Sequence, residues 1–285
     1  MRQLFLPLIF LIILLSGPRR FLEAQEIEIT GGINNFAFDP AETGQIQQFE
    51  GFPCIIGDIF LSNNINNILG YKFNITRDPV IRNYLNGNMT VNTENVNLEF
   101  GAFFGIDDTF KKPDFGIAGS IELIFPGIIF LSVNGSTSVD IVNQFLGNNN
   151  RETVQARFGF WLPNLLPVLS AEIKTYTREE ENSLIIRDES IRLMFSADIF
   201  AKNMPLIIRI DAGYDTFTRS YESENFNNVE FKNVFAGLEI KWQIIRQLRL
   251  IAGFEMPVYI IEPSVNPPNI INLFKAYGGL ALTFF

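Results

Sequence analysis

The sequence predicts an all-β chain whose antiparallel strands close into a transmembrane barrel of about fourteen strands, with twelve as the neighbouring count. Three observations predict it: apolar residues recur at every second position, the strand-like runs are long, and the links between them alternate between short and long. Composition sets the frame. Of the 285 residues 47% are hydrophobic and only 19% are charged, below the roughly 25% of an ordinary soluble domain. Beyond the first 25 residues no apolar run approaches the ~20 residues that a spanning helix needs. The apolar side chains are instead dealt out to one face of each strand.

The chain starts with Arg2 and an apolar stretch from Leu4 to Leu15. That length suits the apolar region of a signal peptide and falls short of a membrane-spanning helix. Ser16-Gly17-Pro18 breaks it, and Leu22-Glu23-Ala24 offers a small residue for cleavage before Gln25. Residues 1–24 are expected to be a signal peptide and residues 25–285 the barrel.

Strands are expected at 26–38, 54–62, 67–77, 85–92, 95–105, 115–125, 128–137, 153–161, 167–177, 189–200, 205–215, 229–242, 247–257 and 275–285. The clearest is Leu69 to Ile75, where Leu69, Tyr71, Phe73 and Ile75 share one face and Gly70, Lys72 and Asn74 the other. Alternation alone fits a soluble sandwich as well as a membrane barrel. Length favours the barrel, because many runs reach the ~9–11 residues of a membrane-crossing strand and exceed the soluble mean of ~5–6. So do the links. Asn63 to Asn66, Pro126-Gly127, Leu162 to Leu166, Ala201 to Met204 and Gln243 to Arg246 are short. Asp39 to Pro53, Ile106 to Asp114, Ser138 to Glu152, Arg178 to Asp188, Thr216 to Asn228 and Val258 to Phe274 are long. Short turns on one side and long loops on the other are the habit of membrane barrels. Trp161 and Trp242 both end strands on the short-turn side, where an interfacial aromatic girdle would lie. Closure follows from physics: in hydrocarbon each unpaired backbone group costs several kcal/mol, so a lipid-facing sheet can have no edge.

The last residues read Tyr277-Gly278-Gly279-Leu280-Ala281-Leu282-Thr283-Phe284-Phe285. Tyr277, Gly279, Leu282 and Phe284 resemble the C-terminal assembly signal of bacterial outer-membrane β-barrel proteins, and Phe285 adds one aromatic residue beyond it. Taken whole, the chain resembles a small monomeric porin of about fourteen strands. The resemblance implies the outer membrane as location, its lipids, small solutes or ions, and the secretion and barrel-assembly machinery as partners, and no cofactor.

If the apolar faces meet lipid, the opposite faces supply the pore lining. Those faces carry Lys72, Glu99, Glu122, Arg157, Arg192, Asp198, Arg209, Asp211, Glu239, Lys241, Arg249 and Glu255, with Glu172 or Lys174 beside them. Gly70, Gly101, Gly116, Gly159, Gly213 and Gly253 are interleaved and would leave parts of the inner wall thin. Asp198 with Arg209, and Arg192 with Asp211, are candidate pairs on adjacent strands. Mixed signs imply weak selectivity, tipped slightly toward cations by acidic loops.

Chemistry is largely excluded. The chain has no histidine and a single cysteine, Cys54, so Ser-His and Cys-His pairs, histidine metal sites and intramolecular disulfides cannot form. The formal net charge is −9 and no basic patch is present, so nucleic acid is not an expected partner. The expected function is a non-enzymatic channel for passive diffusion. A surface-exposed binding or structural barrel, and a transporter of apolar solutes without an open pore, are the alternatives.

Overall fold

The computed structural model describes residues 23–34, 37–38, 46–47, 54–65, 68–78, 82–106, 113–140, 142–143, 149–179, 185–202, 204–222, 228–261 and 274–284. In chain order the strands are β1 (Glu23–Asn34), β2 (Ala37–Phe38), β3 (Ile46–Gln47), β4 (Cys54–Asn64) and β5 (Leu69–Asp78). Next come β6 (Arg82–Asn92), β7 (Val96–Ile106), β8 (Asp114–Phe125), β9 (Ile129–Ser138) and β10 (Asn150–Phe160). The remainder are β11 (Leu165–Glu179), β12 (Ile185–Phe200), β13 (Leu206–Tyr221), β14 (Val229–Ile245), β15 (Leu248–Ile261) and β16 (Lys275–Phe284). All but β2 and β3 form one closed antiparallel barrel, in which each strand pairs with its sequence neighbours and β1 seals the ring between β4 and β16. The barrel therefore has fourteen strands.

Several boundaries differ from expectation. β1 stops at Asn34, and Ala37–Phe38 leaves it to pair with Ile46–Gln47 inside the first long connection. β6 starts at Arg82 rather than 85, because Tyr84 and Asn83 continue the ladder with Thr76 and Arg77. The link before β6 is thus only 79–81, the shortest on its side. β11 to β15 run to 14–17 residues, longer than a bilayer crossing needs, so their far ends stand beyond the hydrocarbon.

Local chemistry builds the short-turn side. At Pro126-Gly127, Gly127 has φ 74° and Ile128 N–H donates to Phe125 C=O at 3.0 Å. At Pro163-Asn164, Asn164 has φ 63° and Leu165 N–H donates to Leu162 C=O at 3.2 Å. Both follow the type II pattern, proline second and a positive-φ residue third. β1 begins and β16 ends on this side, since Gln25 opposes Phe284.

The two faces of the wall are chemically opposite. Outward residues such as Phe100, Ile117, Val154, Leu169, Ile173 and Ile210 are large, apolar and exposed. Trp242, Phe125 and Phe160 are exposed at the short-turn end, whereas Trp161, one residue past β10, packs its ring 6.3 Å from that of inward Phe130 and so does not join an outward girdle. In water such a surface would be a large apolar patch; around a closed barrel it is the band that meets lipid.

Candidate functional site

The side chains expected to line a pore lie on the inner face, and contacts between strands that are not neighbours settle the direction. Arg192 on β12 places Nη2 2.6 Å from Glu255 Oε2 on β15, with β13 and β14 between them. Arg249 on β15 reaches Glu26 on β1 at 2.6 Å, across β16. Tyr277 Oη on β16 donates to Glu239 Oε2 on β14 at 2.7 Å, and Lys72 on β5 bonds Glu99 on β7. Side chains several strands apart meet only on the concave side, where the wall's curvature brings their tips together.

These contacts fall on two stretches of the wall. On β12–β16 and β1, Arg209 holds Asp198 through a two-pronged bond (2.6 and 3.0 Å) and sits 3.6 Å from Glu239. Glu239 also takes Lys241 at 3.2 Å and the Tyr277 hydroxyl. Arg249 lies between Glu26 and Glu28. On β5–β8 the group is smaller: Lys72 with Glu99, and Asn97 donating to Glu122 at 2.9 Å. Asp198 and Arg209 are direct cross-strand partners, as expected. Arg192 and Asp211 are not. The ladder sets Arg192 opposite Asp215 and Asp211 opposite Ser196, so Arg192 is 3.9 Å from Asp215 and makes its short bond to Glu255.

The inner wall also carries a layered arrangement that sequence reading missed. Tyr84 lies opposite Gly105, Phe103 opposite Gly116, Phe130 opposite Gly159, Phe235 opposite Gly213 and Tyr277 opposite Gly253. Each ring covers its glycine so closely that an added Cβ would sit 2.2–2.7 Å from a ring atom. The glycines expected to leave the wall thin at 116, 159, 213 and 253 are therefore roofed by rings. A cation lies over the lumen side of most of these rings. Arg151 is 4.0 Å from the centroid of Tyr84 and 5.6 Å from that of Phe103. Arg192 is 4.0 Å from Phe235, Arg157 5.6 Å from Phe130 and Lys275 5.4 Å from Tyr277. Contacts of this kind contribute ~0.5–1 kcal/mol when exposed and more when dry. The only sequence signal would have been an inward aromatic facing an inward glycine, and that needs the register.

At the long-loop end, Asp114 is buried and accepts from Ser138 at 2.7 Å and Asn143 at 2.9 Å. Asn143 also bonds both backbone groups of Phe115 and so stands in for a strand neighbour. Higher on β12 and β13, Arg219 and Asp188 form a buried two-pronged pair at 2.6 and 2.8 Å. Of the C-terminal residues, Tyr277 and Gly279 alternate inward and Leu282 and Phe284 outward, with Phe284 exposed. Phe285 lies outside the described residues, as do residues 1–22. Among the described residues no group of three or more Cys, Asp or Glu side chains is arranged to hold a metal ion.

No protein-family model and no curated protein matches the sequence. Solved structures do. The fold is similar to that of a FadL homologue from Pseudomonas aeruginosa, with TM-score 0.50 and 11% identity over 92% of this chain and 88% of that one. The chain has the closed β-barrel fold seen in bacterial outer-membrane proteins. Other similar structures are an outer membrane channel from Pseudomonas putida F1 (TM-score 0.46, 11% identity, 94% and 100% of the two chains) and OmpT, an outer membrane protein of Vibrio cholerae (0.46, 7%, 92% and 97%). At these identities the likeness is one of fold, and the barrel's function rests on its own inner wall.

Proposed function

We propose that this outer-membrane barrel is a channel for passive diffusion of ions and small solutes, with a preference for cations. One observation carries the reading: inner-wall charges are held back against the wall yet keep accessible surface. Arg192, Arg209 and Glu255 keep 24%, 31% and 26% of their side-chain surface accessible, which leaves room for water inside the barrel. Barrels of ~8 strands fill with side chains and those of 16–18 leave a channel; fourteen lies between. Each inward Lys or Arg whose side chain is described is seated on a ring or paired with a carboxylate. Glu122 and Asp211 have no cation within ion-pair distance among the described residues, and inward carboxylates outnumber inward Lys and Arg among the described side chains, which favours cations.

The reading includes export by residues 1–24. In its support, the β1–β4 ladder shifts register between Glu23 and Gln25, and pairing with β16 begins at Gln25. It also includes recognition of Tyr277, Gly279, Leu282, Phe284 and Phe285 by the assembly machinery. A chain without histidine supports a role without bond-making chemistry.

The test is conductance and reversal potential of the purified barrel in planar bilayers under a KCl gradient. Discrete steps with potassium favoured over chloride are expected. One charge about 7 Å from a permeating ion in water is worth about 0.6 kcal/mol before screening. Glu255→Gln should therefore lower the permeability ratio about two- to threefold, and Arg192→Gln should raise it. A folded, heat-modifiable barrel that passes no current refutes the channel and returns the argument to a surface-binding barrel.

A further inference from the structure

The outward face of the wall is not evenly filled. On β10, β11 and β13 three exposed alanines, Ala156, Ala171 and Ala212, stand among large outward residues such as Leu169 and Phe195. Ala156 and Ala171 are direct cross-strand partners, so the surface is lowest where they meet. The result is an apolar groove of about 770 Å³, within the roughly 300–1,000 Å³ of a ligand pocket. It lies in the band that meets hydrocarbon, and left empty it would forfeit the dispersion contacts of its lining. An apolar chain is what fits it.

The rim of the groove indicates what that chain is attached to. Toward the long-loop end the groove finishes at Tyr214 on β13 and Val234 on β14, a cross-strand pair. The next outward position on each strand is polar: Thr216 and Lys232, which also face each other in the ladder. Two residues of strand set them roughly 7 Å beyond the groove. Lys232 is ten residues along β14 from Trp242, a rise of roughly 26 Å for a strand tilted by ~40°. That equals the ~25 Å height of a barrel's apolar band, so Lys232 stands where hydrocarbon gives way to headgroups. Its Nζ is 2.8 Å from Glu230 Oε1, with side-chain exposures of 33% and 48%. So wet a pair contributes at most about 1 kcal/mol, and an ammonium group has three donors to share.

We infer that the groove holds an acyl chain of a phosphate-bearing lipid, whose phosphate rests on Lys232 and Thr216. Charge and shape agree on this occupant. A cation beside a hydroxyl offers donors to phosphate oxygens, one of them charge-assisted, at the height where a lipid carries its phosphate. The apolar groove begins directly below, along the same two strands. The site is on the outer face, so it stands whether or not the lumen conducts.

Dimyristoyl phosphatidic acid and dimyristoylglycerol, which differ only in the phosphate, are the probes. Each is titrated onto the delipidated barrel in detergent, and bound copies are counted by native mass spectrometry. One phosphatidic acid should be retained about three- to fivefold more tightly than the glycerol lipid. Lys232→Gln should erase that preference and Lys232→Arg should keep it. Ala171→Leu/Ala212→Leu fills the groove with side chains suited to the outward band, and should weaken both lipids about fivefold or more with heat-modifiable gel mobility kept. Equal retention of the two lipids by the parent protein, a preference that survives Lys232→Gln, or unchanged binding in the filled variant overturns the inference. So does a dimer that Ala171→Leu/Ala212→Leu dissociates, which would give the groove to a second copy of the chain.

Discussion

Gly253 and Gly31 separate the inner wall from the outer in one experiment. At Gly253 an added Cβ would sit 2.2 Å from Tyr277 Cζ and 2.4 Å from its hydroxyl, well inside contact. Gly253→Ala must therefore lift the ring. Lifting it breaks the 2.7 Å hydrogen bond to Glu239 and the 5.4 Å contact with Lys275. A hydrogen bond to a charged group contributes about 1.5–3 kcal/mol and an exposed cation–ring contact about 0.5–1 kcal/mol. The expected loss is about 2–4 kcal/mol. At Gly31, whose open side faces outward, nothing lies within 4 Å of the added atom. Gly31→Ala should cost nothing and stabilise by about 0.4–1 kcal/mol through the unfolded chain. Both variants are unfolded in urea from lipid vesicles, followed by circular dichroism and gel mobility. The midpoints should rank Gly31→Ala at or above the parent protein, and Gly253→Ala below it with reduced conductance as the freed ring enters the lumen. Equal midpoints for the two variants would refute the ring-on-glycine account of the inner wall.

Two further tests address other parts of the wall. Arg219→Ala removes the two-pronged bond to buried Asp188 and should cost about 3–5 kcal/mol. Arg187→Ala removes a half-exposed pair with Glu189 and should cost at most about 1 kcal/mol in the same urea assay. Ile210→Lys puts a charge in the outward apolar band and should cost about 2–4 kcal/mol near the bilayer midplane, whereas Asp211→Asn, one residue away on the inner face, should fold and shift only ion selectivity. If Ile210→Lys proves harmless in vesicles, the outward band is not facing hydrocarbon there.

Much of this architecture was legible in the sequence. Period-two alternation is a local signal, and it located the strands and divided each into an apolar and a polar face; Lys72, Arg209 and Glu239 needed nothing more to be set on the polar side. Turn chemistry is equally local, so Pro126-Gly127 declared its turn. Register is not local. Arg192 was matched with Asp211 because the two strands are adjacent, yet the ladder puts Asp215 opposite it and the barrel's curvature brings Glu255, two strands farther on, to 2.6 Å. The rings that cover Gly116, Gly159, Gly213 and Gly253, and the reach of Arg151 on β10 to Tyr84 on β6, depend on the same facts. The sequence alone determined which residues face inward, since each side chain's face is set by its own backbone. Only the closed tertiary structure decided which of them touch, because distances across a curved wall depend on every register between.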